Sequence, residues 1–141
     1  MSSDAWDQKI GRARILLDKD KEDDALKILT EIIDAMSKNL AGLKDEEKAD
    51  FITTACLQRI NINFKKKMYE EVSSDFNILE NNHYDIYLHP DLCLKKIESM
   101  EQVTRANLDK VFKKMKVTSK ELEAVKENIA ANHDVEKMFL R

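Results

Sequence analysis

The side chains able to do chemistry in this chain are few and scattered. Cys56 and Cys93 are its two thiols, and His83, His89 and His133 its three imidazoles. They do not assemble into the two close ligand pairs of a zinc site. Serines, thiols, imidazoles and carboxylates are all present, yet no spacing couples a nucleophile to a base. Gly11 and Gly42 stand 31 positions apart, so no glycine-rich loop is available to cradle a phosphate. These residue types predict no catalysis, no cofactor and no metal. The single imidazole of His89 does not make a switch. The basic run Lys65-Lys66-Lys67 could meet an acidic partner or a phosphate, although such a run reads first as a solvated turn.

With chemistry set aside, the question is what the chain builds. Its 141 residues suffice for one domain, 1–141, and hardly for two. It holds 2 glycines and 1 proline, too few for the many turns of a sandwich or barrel. At 36% charged and 43% hydrophobic residues it has the balance of an all-helical domain and is too apolar for a disordered chain. A net charge of −3 lacks the basic excess of a nucleic-acid binder. No apolar run approaches a membrane span. The acidic start Met1-Ser2-Ser3-Asp4-Ala5-Trp6-Asp7 is unlike a signal peptide. The expected setting is therefore cytoplasmic, with both cysteines reduced and buried.

Apolar periodicity predicts about seven helices. The first runs from Asp4 to Asp18, with Ile10, Ala13, Leu16 and Leu17 on one face. The second, Glu22 to Asn39, has an apolar set too wide for one stripe and is expected to pack on two sides. Asn39 to Lys44 is a linker containing Gly42, the only glycine placed as a helix stop. The third helix runs from Asp45 to Lys66, and the fourth carries Tyr69, Val72, Phe76, Ile78 and Leu79. Tyr84 to Pro90 is ambiguous, because Pro90 fits the first turn of a helix or distorts one that began earlier. A fifth helix then carries Leu92, Leu94, Ile97 and Met100, and a sixth Val103, Leu108, Val111, Phe112 and Met115. Val117-Thr118-Ser119 starts a last helix from Lys120 to Leu140, whose sparse apolar face suits a cap.

Three segments look alike: Glu22-Asp23-Asp24-Ala25-Leu26, Tyr69-Glu70-Glu71-Val72-Ser73 and Glu101-Gln102-Val103-Thr104-Arg105. Each is expected to open the second helix of a pair. The spacings of 47 and 32 residues bracket the tetratricopeptide period of ~34. The first is longer by about one insertion. With that insertion, Asn39 to Lys48, and an end in Met138-Phe139, the chain resembles the tetratricopeptide (TPR) domains of FK506-binding immunophilins and the aryl-hydrocarbon-receptor-interacting protein. The resemblance spans about residues 7 to 140 and implies three helix pairs and a capping helix.

The resemblance also implies a clamp for the acidic tail of a heat-shock chaperone. Its positions here are Ile10 and Arg14, Gln58, and Ile86 and Pro90. Only Gln58 resembles the residue expected, while Ile10, Ile86 and Pro90 offer no charged donor. Lys95 or Lys96 could supply a shifted clamp. The groove would otherwise be lined by Ile10, Phe51, Gln58, Ile62 and Ile86, side chains that could equally pack between helices. Trp6 and Tyr87 sit at pattern edges, where an aromatic is open to exposure as a binding hot spot and equally to packing. The expected function is a non-catalytic adaptor that holds a partner's helix or extended segment by apolar anchors, with little salt dependence. The alternatives are a chaperone-tail binder and a structural subunit of a larger assembly, and a homo-oligomer stays open.

Overall fold

The computed structural model describes residues 3–39, 42–115 and 119–139, with Ser119 and 133–139 described by their backbone alone. The described residues form six α-helices: α1 Ser3–Asp18, α2 Glu22–Ser37, α3 Asp45–Lys65, α4 Tyr69–Asn81, α5 Pro90–Met115 and α6 Ser119–Phe139. A single 3-10 turn, Ile86–Leu88, precedes α5. Among the described residues there is no strand, and no helix long and apolar enough to cross a membrane. The positions before α2, α3 and α4 are Lys21, Lys44 and Met68, none of which caps its helix with a side-chain hydrogen bond. Acidic first turns serve instead: Glu22, Asp23 and Asp24 in α2, Asp45, Glu46 and Glu47 in α3, and Glu70 and Glu71 in α4. There negative charge meets the positive end of the helix dipole.

The first four helices match their predicted spans closely. The fifth and sixth predicted helices are in fact one continuous helix, α5, so the count is six rather than about seven. Glu101-Gln102-Val103 lies inside it and opens no helix. Nothing between Met100 and Arg105 breaks a helix, and the Thr104 hydroxyl donates back to the Met100 carbonyl at 2.8 Å. Pro90 takes the first position of α5, where its missing N–H costs nothing. The linker residues 40 and 41, the cap at 117–118 and the side chains of His133, Met138 and Phe139 lie outside the described residues.

Several helices end in a way the composition hides. Asp20, Lys67 and His83 stand in the left-handed region at φ of 58°, 60° and 61°. The amide after each reaches back five residues: Lys21 N–H donates to Leu16 O at 2.8 Å, Met68 N–H to Asn63 O at 2.9 Å, and Tyr84 N–H to Leu79 O at 3.0 Å. These are Schellman stops built without glycine.

The first two stops expose an internal repeat. Moving 47 positions from the α1–α2 turn to the α3–α4 turn reproduces four backbone bonds. Lys19 N–H to Ile15 O and Lys66 N–H to Ile62 O are both 3.2 Å. Asp20 to Leu17 and Lys67 to Phe64 are both 3.1 Å, as are Ala25 to Lys21 and Val72 to Met68. The cores correspond as well. Ala13 and Ile60, Ala25 and Val72, Leu29 and Phe76, and Ile32 and Leu79 are pairs at this offset, and all eight are buried.

By contact the chain divides into two compact units, Met1–Lys96 and Ile97–Arg141. In the first unit α1 packs on α2, α2 on α3 and α3 on α4, and α1 also touches α3. Helix α2 is thus covered on two sides, as its wide apolar set predicts. Ala13, Ala25 and Ala55 have no exposed surface, so these are the places where backbones approach closely. Trp6, which the sequence left open to exposure or packing, is 4% exposed and belongs to the core. Lys9 stands over its ring, 5.4 Å from the centroid. Tyr87, equally open in the sequence, is 75% exposed. The second unit comprises the rest of α5 and α6. There Lys126 pairs with Asp109, and a shallow hollow of about 110 Å³ lies among Met100, Leu108, Ile129 and Ala130.

Lys67 is the exposed left-handed residue of the second hairpin turn. A side chain there strains the backbone, whereas glycine does not. Lys67→Gly is expected to raise stability by about 0.5–1 kcal/mol, because relief of strain exceeds glycine's entropic penalty. Lys67→Ala should bring no such gain, since it keeps Cβ. Urea unfolding of both variants checks this, and equal midpoints would show that the backbone is not what matters.

Candidate functional site

The stripe Cys56, Arg59, Ile60 and Asn63 turns one face of α3 towards α2 and α4. Arg59 ends in a three-way junction. Its Nε donates to Asp75 Oδ2 of α4 at 2.8 Å, and its Nη2 donates to Asp75 Oδ1. Its Nη1 donates to Thr30 Oγ1 of α2 at 3.2 Å. The Arg59 side chain is 16% exposed and that of Asp75 1%. Burial alone would depress the guanidinium's pKa. The hydrogen bond and charge of Asp75 outweigh it, with Cys56 and Asp34 adding, and the pKa rises.

Beside this junction lies a cleft of about 400 Å³. Leu26 and Thr30 of α2 form one wall, Arg59 and Asn63 of α3 the floor, and Glu70, Glu71, Ser74 and Asp75 of α4 the other wall. Asn63 is 7% exposed. Its backbone carbonyl takes the Met68 amide, but its side-chain amide has no hydrogen-bond partner among the described residues. Glu70 and Glu71 are exposed and form no ion pair among the described residues.

A second concavity, of about 300 Å³, lies between α1 and α3. Its lining is Ser3 and Asp7 from α1, and Glu47, Asp50, Phe51 and Thr54 from α3. Three carboxylates and one half-buried aromatic ring give it an acidic rim with an apolar patch.

The residues singled out in the sequence scatter across the first unit. Ile10, Ile62 and Ile86 are 6%, 3% and 1% exposed and pack in the core. That is the packing role the sequence left open to them. Phe51 lines the α1–α3 groove. Gln58 is half-buried, and its Oε1 is shielded without a partner. Arg14 and Pro90 are exposed. Lys95 is engaged within its own unit, donating to Asn61 Oδ1 at 2.8 Å and lying 5.9 Å from the Phe64 ring centroid. Lys96 pairs with Glu80. Lys65 and Lys66 of the basic run pair with Glu22 and Asp23 at the start of α2. The hydrogen bond and charge of Lys66 lower the pKa of Asp23. The sequence reading missed the Arg59–Asp75 cleft. Its signal was Asp75 itself, a charge on the apolar stripe of Val72, Phe76 and Leu79.

The two thiols differ. Cys56 has no exposed surface, and burial, reinforced by the charge of Asp75, pushes its pKa up from 9.0 to about 12. Cys93, expected to be buried, is only half-buried, and its Sγ donates to Ile86 O at 3.3 Å. Comparison of the chain with known protein families, with curated proteins and with solved structures finds no match.

Two outcomes follow from the junction. Asp75→Ile installs the residue found at the equivalent position of the first hairpin, Ile28, but strands a buried guanidinium. It is expected to cost about 3–5 kcal/mol, while Arg59→Met combined with Asp75→Ile recovers most of the loss. A double-mutant cycle by denaturant unfolding measures this, and additive losses would mean the pair is not coupled. For Cys56, the unfolded thiol ionises near its ordinary value and the folded one only near 12. Its contribution is therefore complete below pH ~9 and is lost as pH rises from there towards 12. At neutral pH a thiol reagent should modify Cys93 first and Cys56 only on unfolding. Alkylation read by peptide mass spectrometry, with and without denaturant, checks the order.

Proposed function

We propose that the chain is a non-catalytic protein-interaction module of tetratricopeptide-like construction, with α1–α2 and α3–α4 as consecutive antiparallel helix pairs. The observation that carries this reading is the hairpin repeated at 47 positions with four matching turn bonds, together with the touch of α1 on α3. Serial stacking in which like helices of neighbouring pairs meet is the construction principle of helical repeat proteins, and it leaves an extended groove for a partner. Two free thiols suit the reducing cytoplasm in which such an adaptor would work.

The α1–α3 groove supports a revised view of the partner. Asp7, Glu47 and Asp50 repel an acidic chaperone tail, and Lys95 is already engaged within the fold. A segment with cationic residues and one apolar anchor for Phe51 is the better complement. Binding governed by exposed carboxylates is then salt-sensitive, in contrast to the apolar groove expected from the sequence.

Affinity capture from native extract with the parent, Phe51→Asp and Asp7→Lys/Asp50→Lys proteins tests this. All three are first checked for helicity by circular dichroism. The expected outcome is a partner held by the parent, lost by both variants and weakened at ~0.5 M salt, where screening shortens to a few ångström. An acidic chaperone-type tail peptide should bind no better than ~1 mM, about −4 kcal/mol. Equal capture by all three proteins would remove the α1–α3 groove as the binding surface.

A further inference from the structure

The first hairpin is an internal control for the second. Its turn shares four backbone bonds with the second, each within 0.1 Å of its counterpart, so its residues report what the hairpin requires at each position. Where the second hairpin has Asn63, the first has Leu16, and where the second has Asp75, the first has Ile28. Leu16 and Ile28 are apolar side chains packed against the core. The fold therefore needs neither an amide nor a carboxylate at these places. The second hairpin carries both, nine-tenths or more buried, and joins them with Glu70, Glu71 and Ser74 around one cleft.

Asp75 is answered by Arg59 within the chain. Asn63 is not answered: its amide lines the cleft with no hydrogen bond to the rest of the described chain, so its donors and acceptor stay available to a ligand. The charge of the cleft says which ligand. Three carboxylates, of Glu70, Glu71 and Asp75, stand against the single guanidinium of Arg59, which leaves an excess of negative charge. Leu26 offers an apolar wall beside them. An anion is repelled, whereas a cation on an aliphatic stem finds both charge and lining.

We propose that the cleft between α2, α3 and α4 receives an arginine side chain of a partner protein. Its guanidinium sits between Glu70 and Glu71 and donates to the Asn63 side-chain oxygen Oδ1 and the Ser74 hydroxyl, while its stem lies along Leu26. Arginine suits the site better than lysine because its planar fork reaches several acceptors at once and is more weakly hydrated. The proposal rests on the reading of the chain as a protein-binding module, but the cleft is a separate surface from the α1–α3 groove.

The test uses the full chain, nitrogen-15 labelled, titrated with N-acetyl-arginine N-methylamide and followed by nuclear magnetic resonance. The expected result is saturable shifts of the Asn63 side-chain amide and the Glu70 and Glu71 backbone amides, with millimolar affinity, ~1–10 mM, for so small a probe. The citrulline analogue, which keeps the shape and loses the charge, should bind at least ~10-fold more weakly. Glu70→Gln/Glu71→Gln, at exposed positions, should weaken the arginine probe by a similar ~10-fold. Asn63→Leu, which installs the first hairpin's residue, should keep the fold and weaken the probe as well. Unmoved Asn63 and Glu70 signals, or a citrulline analogue that binds equally, would overturn the proposal. A lysine analogue equal to the arginine probe would overturn the preference for a guanidinium, and spermidine binding more tightly than either would assign the cleft to a free polyamine. The small probe does not depend on the α1–α3 groove, so this test can fail while partner capture succeeds, and the reverse.

Discussion

One side chain on the middle helix holds the four-helix unit in register. Arg59 faces a carboxylate of α4 on one edge and a hydroxyl of α2 on the other. Apolar packing is non-directional, and a helix can slide or rotate by a few degrees on its neighbour at little cost. A planar guanidinium bonded on both sides cannot. It converts a general attraction among α2, α3 and α4 into one arrangement. Taking these charges out of water costs free energy, so the junction adds less net stability than its bonds suggest. What it supplies is uniqueness, and with it the fixed walls of the adjoining cleft.

Much of the fold was legible in the residues. Helices α1 to α4 follow from apolar positions recurring at helical spacing and from acidic first turns, both of which are local signals. The failures have physical causes. Glu101-Gln102-Val103 imitates the acidic opening of α2 and α4, but those residues are also ordinary helix formers. Only a breaker would separate the two cases, and none is present. Charged and Asn-rich runs mark where α1, α3 and α4 stop, but not that Asp20, Lys67 and His83 take the left-handed positions there in place of glycine. The Schellman bonds that fix them belong to the backbone and leave little trace in side-chain type.

The candidate site was less legible, because sequence periodicity reports which face is buried and not what the buried face meets. Ile10, Ile62 and Ile86 carry the right period for a groove and for a core, and contact geometry assigns them to the core. Charges on apolar stripes were the better guide. Asp75 lies one turn from Val72 and one from Leu79, and such a residue must find a partner inside the fold. The acidic rim of the α1–α3 groove is assembled from residues 40 or more positions apart, Asp7 with Glu47 and Asp50, so no local pattern announces it.

The neighbour-on-neighbour packing of α1 through α4 also shapes how the chain reaches its structure. Contacts in this unit are made mostly between elements adjacent in sequence, with α1 on α3 the modest exception. Ordering such a chain closes only short loops, so the entropic barrier is low and folding of this unit belongs to the fast, helical end of the range. The α1–α2 hairpin is complete once residue 37 has been synthesised, and each later helix finds its template already in place. Assembly can therefore proceed in the order of translation, with Arg59 meeting Thr30 first and waiting for Asp75 to close the junction.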